Sequence, residues 1–144
     1  LPGVSPIIPS PIFLSSMCPC SKSHVSLLRK MKKDHKDIQF VGIHSNYNEN
    51  LKRSKKYFTE ANLDFPIIHD KDSTLAKRLG GVKTPHAFIL KDGKVIYTGS
   101  VTSSSNAKKS KENYLLQAIN EVEAGKEISN PKRKTLGCYI PTKE

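Results

Sequence analysis

Two cysteines flank a proline in the run Cys18-Pro19-Cys20-Ser21. Apolar residues predict a strand at 11–16, before this run, and apolar residues at helical spacing predict a helix at 23–36, after it. A thiol at a strand-to-helix turn faces unpaired N–H groups and the positive end of the helix dipole, which favour the thiolate. The thiolate is the species that attacks disulfides and peroxides. The position of Cys18 therefore predicts redox chemistry.

Two other interpretations of these cysteines are open. One is that Cys18 and Cys20 are small core residues, as free cysteines often are. The other is a copper or zinc site, because Cys18, Cys20 and His24 are soft ligands close in sequence and His24 follows Cys20 by one helical turn. A third cysteine, Cys138, lies near the end of the chain. Three cysteines are too few for a disulfide-stapled mini-protein and match no complete structural zinc pattern, so they indicate chemistry.

Strand-like and helix-like segments alternate along the chain. Strands are predicted at 11–16, 37–44, 65–68, 87–90 and 95–98, and helices at 23–36, 48–62 and 107–124. Asp92-Gly93 lies between two apolar runs, which is a strong hairpin signal. This order predicts a single α/β domain over residues 1–144, with a mixed central sheet and helices on both faces.

The two ends of the chain carry no predicted strand or helix. Residues 1–10 are rich in proline, which removes a backbone donor, so we expect an extended lead-in and not a central strand. Residues 126–144 are predicted to be a C-terminal tail. The start lacks a basic segment followed by an apolar core, and a chain that begins at Leu1 fits a targeting segment already removed.

The composition excludes several classes of protein. With 144 residues, of which 36% are apolar, the chain fits a compact domain, and no apolar run approaches the about 18 residues of a membrane-spanning helix. Lys and Arg number 24 and Asp and Glu number 13, which gives a net charge of +11. This charge is spread along the chain without an aromatic-rich nucleic-acid motif. We interpret it as solvated surface and expect no nucleic-acid partner.

Four stretches of the sequence occur in the order found in one protein family. They are 13–20, which contains the first two cysteines, 65–70, 79–90, which contains Thr84-Pro85, and 92–99. On these stretches the chain resembles the thioredoxin-fold redoxins of the alkyl hydroperoxide reductase, thiol-specific antioxidant and thioredoxin-like group. The run Gly137-Cys138-Tyr139-Ile140 is similar to a Gly-Cys-x-Ile tail of one redoxin subgroup. The resemblance implies a thioredoxin-like three-layer sandwich.

The resemblance also implies roles for individual residues. Cys18 takes the position of the nucleophile, and Thr84-Pro85 forms the loop, with a cis peptide, that packs beside it. A proline there donates no competing hydrogen bond, and the neighbouring backbone can pair with an extended substrate chain. Lys83, Thr84 and His86 are therefore predicted to contact substrate.

The second cysteine of the usual Cys-x-x-Cys pair is displaced in this chain. Ser21 stands at that position, Cys20 comes one place early, and Met17 replaces the usual tryptophan before the first cysteine. Cys138 is another possible partner if the tail folds back to the site. The sequence leaves open whether Cys20 or Cys138 resolves an intermediate on Cys18.

The implied function is that of a monomeric thiol/disulfide oxidoreductase without a cofactor or bound metal, acting on protein disulfides or small thiols. A thioredoxin-like peroxidase with peroxide as substrate is an alternative, although no Pro-x-x-x-Thr-x-x-Cys run ends at Cys18. A copper-binding redoxin-fold metallochaperone that uses Cys18, Cys20 and a histidine is another, and an inactive scaffold is the third. We expect a periplasmic or other extracytoplasmic location, where many stand-alone relatives work.

Three histidines are predicted to lie near the same edge of the sheet as Cys18. His44 and His69 each follow a predicted strand, and His86 follows Pro85. A neighbouring imidazolium would favour the thiolate of Cys18. The alternative is that these histidines are hydrogen-bonded and have no role in the chemistry.

Overall fold

The computed structural model describes residues 7–142, so residues 1–6 of the predicted lead-in and residues 143–144 of the predicted tail lie outside the described residues. Its strands are β1 (Ile8–Phe13), β2 (Ile38–His44), β3 (Ile67–His69), β4 (Lys83–Thr84), β5 (His86–Lys91), β6 (Lys94–Gly99) and β7 (Cys138–Tyr139). Its α-helices are α1 (Pro19–Ser23), α2 (Val25–Asp34), α3 (Leu51–Ala61), α4 (Thr74–Leu79) and α5 (Tyr114–Glu123).

The main sheet is mixed, as predicted. Its strands follow the order β3-β2-β1-β5-β6. The first three are parallel to one another, whereas β5 is antiparallel to both β1 and β6. Asp92 and Gly93 join β5 to β6 and both have positive φ, which is the backbone shape that a two-residue hairpin turn requires. The predicted hairpin is therefore confirmed.

Hydrophobic residues cover both faces of this sheet, because successive side chains of a strand point to opposite sides. Ile12 and Leu14 belong to a large cluster that includes residues of α2, α3 and α5. Phe13, between them, belongs to a second cluster with Ala76 of α4. Helices thus pack on the two faces, and the predicted three layers are confirmed.

The first strand begins earlier than predicted. β1 starts at Ile8, so the proposed lead-in of residues 1–10 is wrong from that residue onward, and β1 lies at the centre of the sheet. The amides of Ile8 and Leu14 both donate on the side of β1 that faces β2. Because backbone N–H groups alternate in direction along a strand, the nitrogens of Pro9 and Pro11 face β5 instead. Pairing with β5 covers only residues 12 and 13. The prolines therefore sit where the ladder needs no donor from them.

The C-terminal segment is more ordered than predicted. Lys132 forms a bridge with Thr98 at the outer strand of the sheet, and β7 pairs antiparallel with β4. The prediction of a tail without strands over 126–144 is therefore wrong. These pairings form between residues far apart in sequence, and the segment has no apolar periodicity from which a strand could be predicted.

The helices predicted at 23–36, 48–62 and 107–124 are all shorter than the periodicity predicted. The first helix is interrupted at His24, which ends α1 and starts α2. The last helix begins at Tyr114, because the side chain of Asn113 accepts a hydrogen bond from the amide of Leu116 and caps it there. Among the described residues, no helix has the length and hydrophobicity needed to cross a membrane.

Candidate functional site

A disulfide joins the first cysteine of the chain to the last one. Cys18 and Cys138 are bonded, with their Cα atoms 6.2 Å apart and a sequence separation of 120 positions. Cys18 follows β1 and is the residue immediately before α1, whereas Cys138 lies on β7. The fold thus brings the tail cysteine to the turn that contains the predicted nucleophile.

The short strand β4 leads into the predicted proline loop. The Thr84–Pro85 peptide bond is cis, as the family resemblance implies. Thr84 pairs with Cys138, and the Sγ atom of Cys18 lies 3.6 Å from the carbonyl oxygen of Thr84. The backbone predicted to receive an extended substrate is therefore paired with the tail of the same chain.

Lys83, also predicted to contact substrate, lies under the tail. It pairs with Tyr139 across the two strands, and its Nζ atom is 4.7 Å from the centre of the Tyr139 ring. The same ammonium donates to the carbonyl oxygen of Thr135 at 3.4 Å. Both contacts are with the C-terminal segment, which covers the loop that contains Thr84 and Pro85.

The remaining cysteine, Cys20, is free and lies close to the disulfide. The Sγ atom of Cys20 lies 3.8 Å from that of Cys138. The sulfur atoms of Cys18, Cys20 and Cys138 all lie within 4.8 Å of one another. Ser21, the residue at the usual second cysteine position, is buried and its hydroxyl accepts a hydrogen bond from the amide of Ser15 at 2.9 Å. Ser21 thus supports the turn before Cys18.

His24 does not join the three sulfur atoms. Its Nδ1 is 2.7 Å from the carbonyl oxygen of Cys20, and its Nε2 is 2.8 Å from the hydroxyl of Thr102. Burial lowers the pKa of this imidazole, although the hydrogen bond with Cys20 acts in the opposite direction. In the described part of the chain, the group of possible metal ligands contains three cysteines and no histidine.

The loop before Cys18 is held by a carboxylate that sequence reasoning missed. Glu49 accepts hydrogen bonds from the hydroxyl of Ser15 and from the amide and hydroxyl of Ser16. The hydroxyl of Ser15 in turn accepts from the amide of Cys18 at 2.9 Å. Burial raises the pKa of Glu49, but hydrogen bonds from His44, Ser15 and Ser16 outweigh burial and lower the pKa to about 2. Glu49 is therefore a charged anchor of this loop.

One signal in the sequence pointed to Glu49. It follows a predicted strand and is the only acidic residue between Asp37 and Glu60. An isolated acid in a basic segment, close to the end of a strand, is a candidate for an internal partner. The hydroxyl side chains that it binds gave no comparable signal.

Two of the three predicted histidines belong to the same network. His44 donates from Nε2 to Glu49 at 2.9 Å, because a carboxylate only accepts. The Nδ1 atoms of His44 and His69 lie 3.2 Å apart. Burial lowers the pKa of His69, and electrostatic interactions with His44 and Lys55 lower it further.

His86 is buried beneath the proline loop. Its Nδ1 accepts from the amide of Val82 at 3.2 Å, so its Nε2 carries the hydrogen and donates to the hydroxyl of Thr98 at 2.9 Å. Burial lowers the pKa of His86 to about 4. The ring is therefore neutral at pH 7, and both of its nitrogens are bonded within the chain.

A cavity of about 380 Å³ opens beside the disulfide, with Asn46, Met17 and Tyr139 among its lining residues. Among the described residues, the buried Oδ1 atom of Asn46 has no hydrogen-bond partner. Met17 and Tyr139 are 67% and 75% exposed. The site thus combines a free acceptor with two large apolar side chains at the surface.

The fold recurs in solved structures of other proteins. A hypothetical protein from Sinorhizobium meliloti is 24% identical, with a TM-score of 0.83 over 94% of this chain and 79% of its own. A thioredoxin-like protein in the oxidised form is 18% identical, with a TM-score of 0.70 over 87% of this chain and 83% of its own. A secreted disulfide oxidoreductase from Mycobacterium tuberculosis is 19% identical, with a TM-score of 0.55 over 62% of this chain and 66% of its own. The fold is therefore thioredoxin-like.

The family of the chain follows from its sequence. No curated protein matches the chain significantly. The model of the Redoxin family matches residues 11–116, more than half of the 144 residues, including Cys18, Cys20 and the Thr84-Pro85 loop. Cys138 lies beyond the matched region. By this match, the chain belongs to the Redoxin family.

Proposed function

We propose that the protein is a thiol/disulfide oxidoreductase in which Cys18 is the nucleophile and Cys138 is the resolving thiol. The observation that carries this proposal is the disulfide between Cys18 and Cys138 beside Pro85. Membership of the Redoxin family supports a redox role. Because both cysteines lie on the same chain, a monomer is sufficient for the reaction.

The reaction transfers two electrons. In the reduced protein, the thiolate of Cys18 attacks one sulfur of a substrate disulfide, and the other substrate sulfur leaves as a thiolate. The thiolate of Cys138 then attacks the Sγ atom of Cys18, which releases the second substrate thiolate and forms the Cys18–Cys138 disulfide. An external dithiol returns the protein to its reduced form. The reverse sequence oxidises a substrate dithiol.

The surrounding residues position this chemistry. Ser15 and Glu49 hold the loop that carries Cys18 through the hydrogen bond to its amide. Thr84 and Lys83 present backbone that pairs with an extended chain, as they now do with the tail. His86 acts indirectly, because it holds the amide of Val82.

The surface around the disulfide favours protein substrates. Met17 and Tyr139 are exposed apolar side chains beside Cys18 and Cys138, and such groups at a surface are typical of interaction sites. An extracytoplasmic location agrees with this proposal, since disulfides persist in oxidising compartments. The similar oxidoreductase from Mycobacterium tuberculosis is a secreted protein.

The decisive experiment compares three serine variants in the reduction of 2-hydroxyethyl disulfide by an added dithiol. We expect Cys18→Ser to reduce the rate to that of the dithiol alone. Cys138→Ser should accumulate a mixed disulfide on Cys18, detected by mass, whereas Cys20→Ser should turn over like the parent protein. Turnover by Cys18→Ser would contradict the proposal. Loss of turnover in Cys20→Ser, with Cys138→Ser active, would assign resolution to Cys20.

The clustering of three cysteine sulfur atoms, all of them thiols once the disulfide is reduced, favours copper(I) binding as a second candidate function. Thiolates are soft ligands that select copper(I). If the three sulfurs of the reduced protein stand 3.8 Å apart, as those of Cys20 and Cys138 do, an ion at their centre lies about 2.2 Å from each, near the about 2.3 Å of zinc–thiolate bonds. Cys138 would be the third ligand, in place of the predicted histidine.

A titration of the reduced protein with copper(I) tests this second function. We expect one ion per chain and expect Cys20→Ser to lose stoichiometric binding while it retains disulfide turnover. Unchanged copper(I) binding in Cys20→Ser would exclude the three-thiol site.

A further inference from the structure

We propose that β7 occupies the groove in which the protein binds its substrates, and that the preferred substrates are extended segments with the pattern small residue, cysteine, any residue, aliphatic residue. The proposal rests on the oxidoreductase function proposed above, and it adds the substrate class. The proposal is based on the contacts of Gly137, Cys138 and Ile140 with β4 and with the residues next to it in the fold.

The tail lies as a bound substrate chain would lie. Cys138 pairs with Thr84 in an antiparallel register, and its sulfur is bonded to Cys18. An extended chain, aligned on the backbone before Pro85 and joined by a disulfide to the nucleophile, has the form of a mixed disulfide with a substrate. The tail reaches this place from the bridge that Lys132 forms with Thr98 at the edge of the main sheet.

The position before the cysteine admits only a very small residue. A Cβ atom added to Gly137 would overlap the carbonyl oxygen of Thr84. That oxygen belongs to backbone beside Pro85 and cannot rotate away as a side chain can. Gly137 also has a φ of +146°, which glycine adopts more readily than other residues.

The position two residues after the cysteine is filled by an aliphatic side chain. Ile140 is only 7% exposed and packs in the cluster that contains Phe13, Ile43, Ala76 and Phe88. Its amide donates to the carbonyl oxygen of Val82 at 2.9 Å. The backbone hydrogen bond fixes the register, and the apolar pocket selects the side chain.

The residue between these two positions is nearly unconstrained. Tyr139 is 75% exposed, and its ring contacts Lys83 from the outside. Only two residues of β7 pair with β4, so the strand is held by short backbone pairing, one buried side chain and the disulfide. In the reduced protein the disulfide is absent, and an external chain competes with the tail for the same groove.

The test uses the full chain with Cys20→Ser and Cys138→Ser, so that Cys18 is the only thiol. Peptides Gly-Cys-Tyr-Ile, Val-Cys-Tyr-Ile and Gly-Cys-Tyr-Asp, blocked at both ends, each carry the cysteine as a mixed disulfide with thionitrobenzoate. The thiolate of Cys18 attacks the peptide sulfur, forms the Cys18–peptide disulfide and releases coloured thionitrobenzoate. The same mixed disulfide of 2-mercaptoethanol measures the reactivity of Cys18 without a peptide.

We expect Gly-Cys-Tyr-Ile to react faster than either altered peptide by about 10-fold or more, since a misfit of one methylene in an apolar pocket already has an effect of about 10–200-fold. Adding Gly137→Val to the protein should accelerate all three peptides, because valine expels the internal competitor. Val95→Ala, a change at an exposed apolar residue of the hairpin, is the matched control and should leave the rates unchanged.

The outcomes separate this proposal from the one on which it rests. Equal rates for the three peptides, with a normal rate for the 2-mercaptoethanol compound, would overturn the substrate pattern and leave the oxidoreductase function intact. A lack of reaction with any compound would overturn both. Slower peptide reaction in Gly137→Val would show that the tail does not compete for the groove.

Discussion

Glu49 carries the negative charge around which the loop before Cys18 is built. Its two oxygens accept from two serine hydroxyls, one backbone amide and the ring of His44. Because hydroxyl, amide and imidazole groups can all donate, the ionised carboxylate satisfies each of them. A glutamine side chain at the same place would point its own N–H groups at some of these donors, which would then lack an acceptor.

We predict that Glu49→Gln lowers the free energy of unfolding at pH 7 by about 1–3 kcal/mol, since a buried donor is left unsatisfied. The folded pKa of Glu49 is about 2 against an ordinary 4.5, so its stabilising effect is full above pH 4.5 and is lost as the pH falls towards 2. Denaturant unfolding of both proteins at pH 7 and pH 3 measures this. A difference between them that does not shrink at pH 3 would argue against the ionised anchor.

His86 links the core to the proline loop through its neutral ring. The Nδ1 atom accepts from the amide of Val82, and the carbonyl oxygen of Val82 accepts from the amide of Ile140. Protonation of Nδ1 removes the acceptor and places a charge in a buried site. The state of this one ring therefore affects the backbone to which the tail is bound.

We predict that the protein loses stability on acidification from pH 6.5 to pH 4 because of His86. Burial lowers the folded pKa from 6.5 to about 4, so the unfolded chain binds more protons in this range and the loss reaches about 3 kcal/mol at pH 4. Unfolding at several pH values checks the slope. His86→Asn, whose side-chain oxygen can accept from Val82, should be less stable at pH 7 but show a flatter slope. The same dependence of unfolding free energy on pH in both proteins would refute the assignment of this loss to His86.

At the scale of elements, β1 shows how prolines fit inside a central strand. Its register with β5, carried one residue further, sets Pro11 opposite Phe88. Proline has no N–H to give, and the hydroxyl of Ser10 donates to the carbonyl oxygen of Phe88 at 2.8 Å. A side chain thus supplies the hydrogen bond that the backbone of β1 lacks.

We predict that Ser10→Ala destabilises the protein by about 1–3 kcal/mol, because the buried carbonyl of Phe88 is left without a donor. Denaturant unfolding measures the change, and Ser105→Ala at an exposed position serves as the control. Adding Pro11→Ala to Ser10→Ala should recover part of the loss by restoring a backbone donor. No loss in Ser10→Ala would mean that Phe88 is satisfied in another way.

At the scale of the whole molecule, the Cys18–Cys138 disulfide ties the C-terminal segment to the start of the fold. It closes a loop of 120 residues, nearly the entire described chain. A cross-link of this length removes much of the freedom of the unfolded chain. We therefore expect oxidation to affect global stability as well as the attachment of the tail to β4.

We predict that reduction lowers the free energy of unfolding by about 2–5 kcal/mol. Cys138→Ser should match the reduced parent protein in both redox conditions, and oxidised Cys20→Ser should match the oxidised parent. Hydrogen exchange should show a larger loss of protection at Ile140 than in β1 and β2 on reduction, because the central strands open only by global unfolding. Equal stability of the two redox forms would exclude a structural role for the disulfide.

The sequence by itself determined those features that depend on neighbouring residues. Apolar periodicity located the helices and most strands, Asp92-Gly93 located the hairpin, and the cysteine run located one half of the disulfide. The resemblance carried by the Thr84-Pro85 stretch predicted the family. Each of these signals spans a few residues and has a local physical cause.

Only the tertiary structure decided which groups meet. Cys138 lies 120 residues from Cys18, and nothing local distinguishes it from Cys20 as a partner. Glu49 gains its role from serines that approach it across the sheet edge, and the prolines of β1 are tolerated because of the neighbour that each nitrogen faces. Long-range contacts are set by the packing of the whole chain, so their partners are absent from any short stretch of sequence.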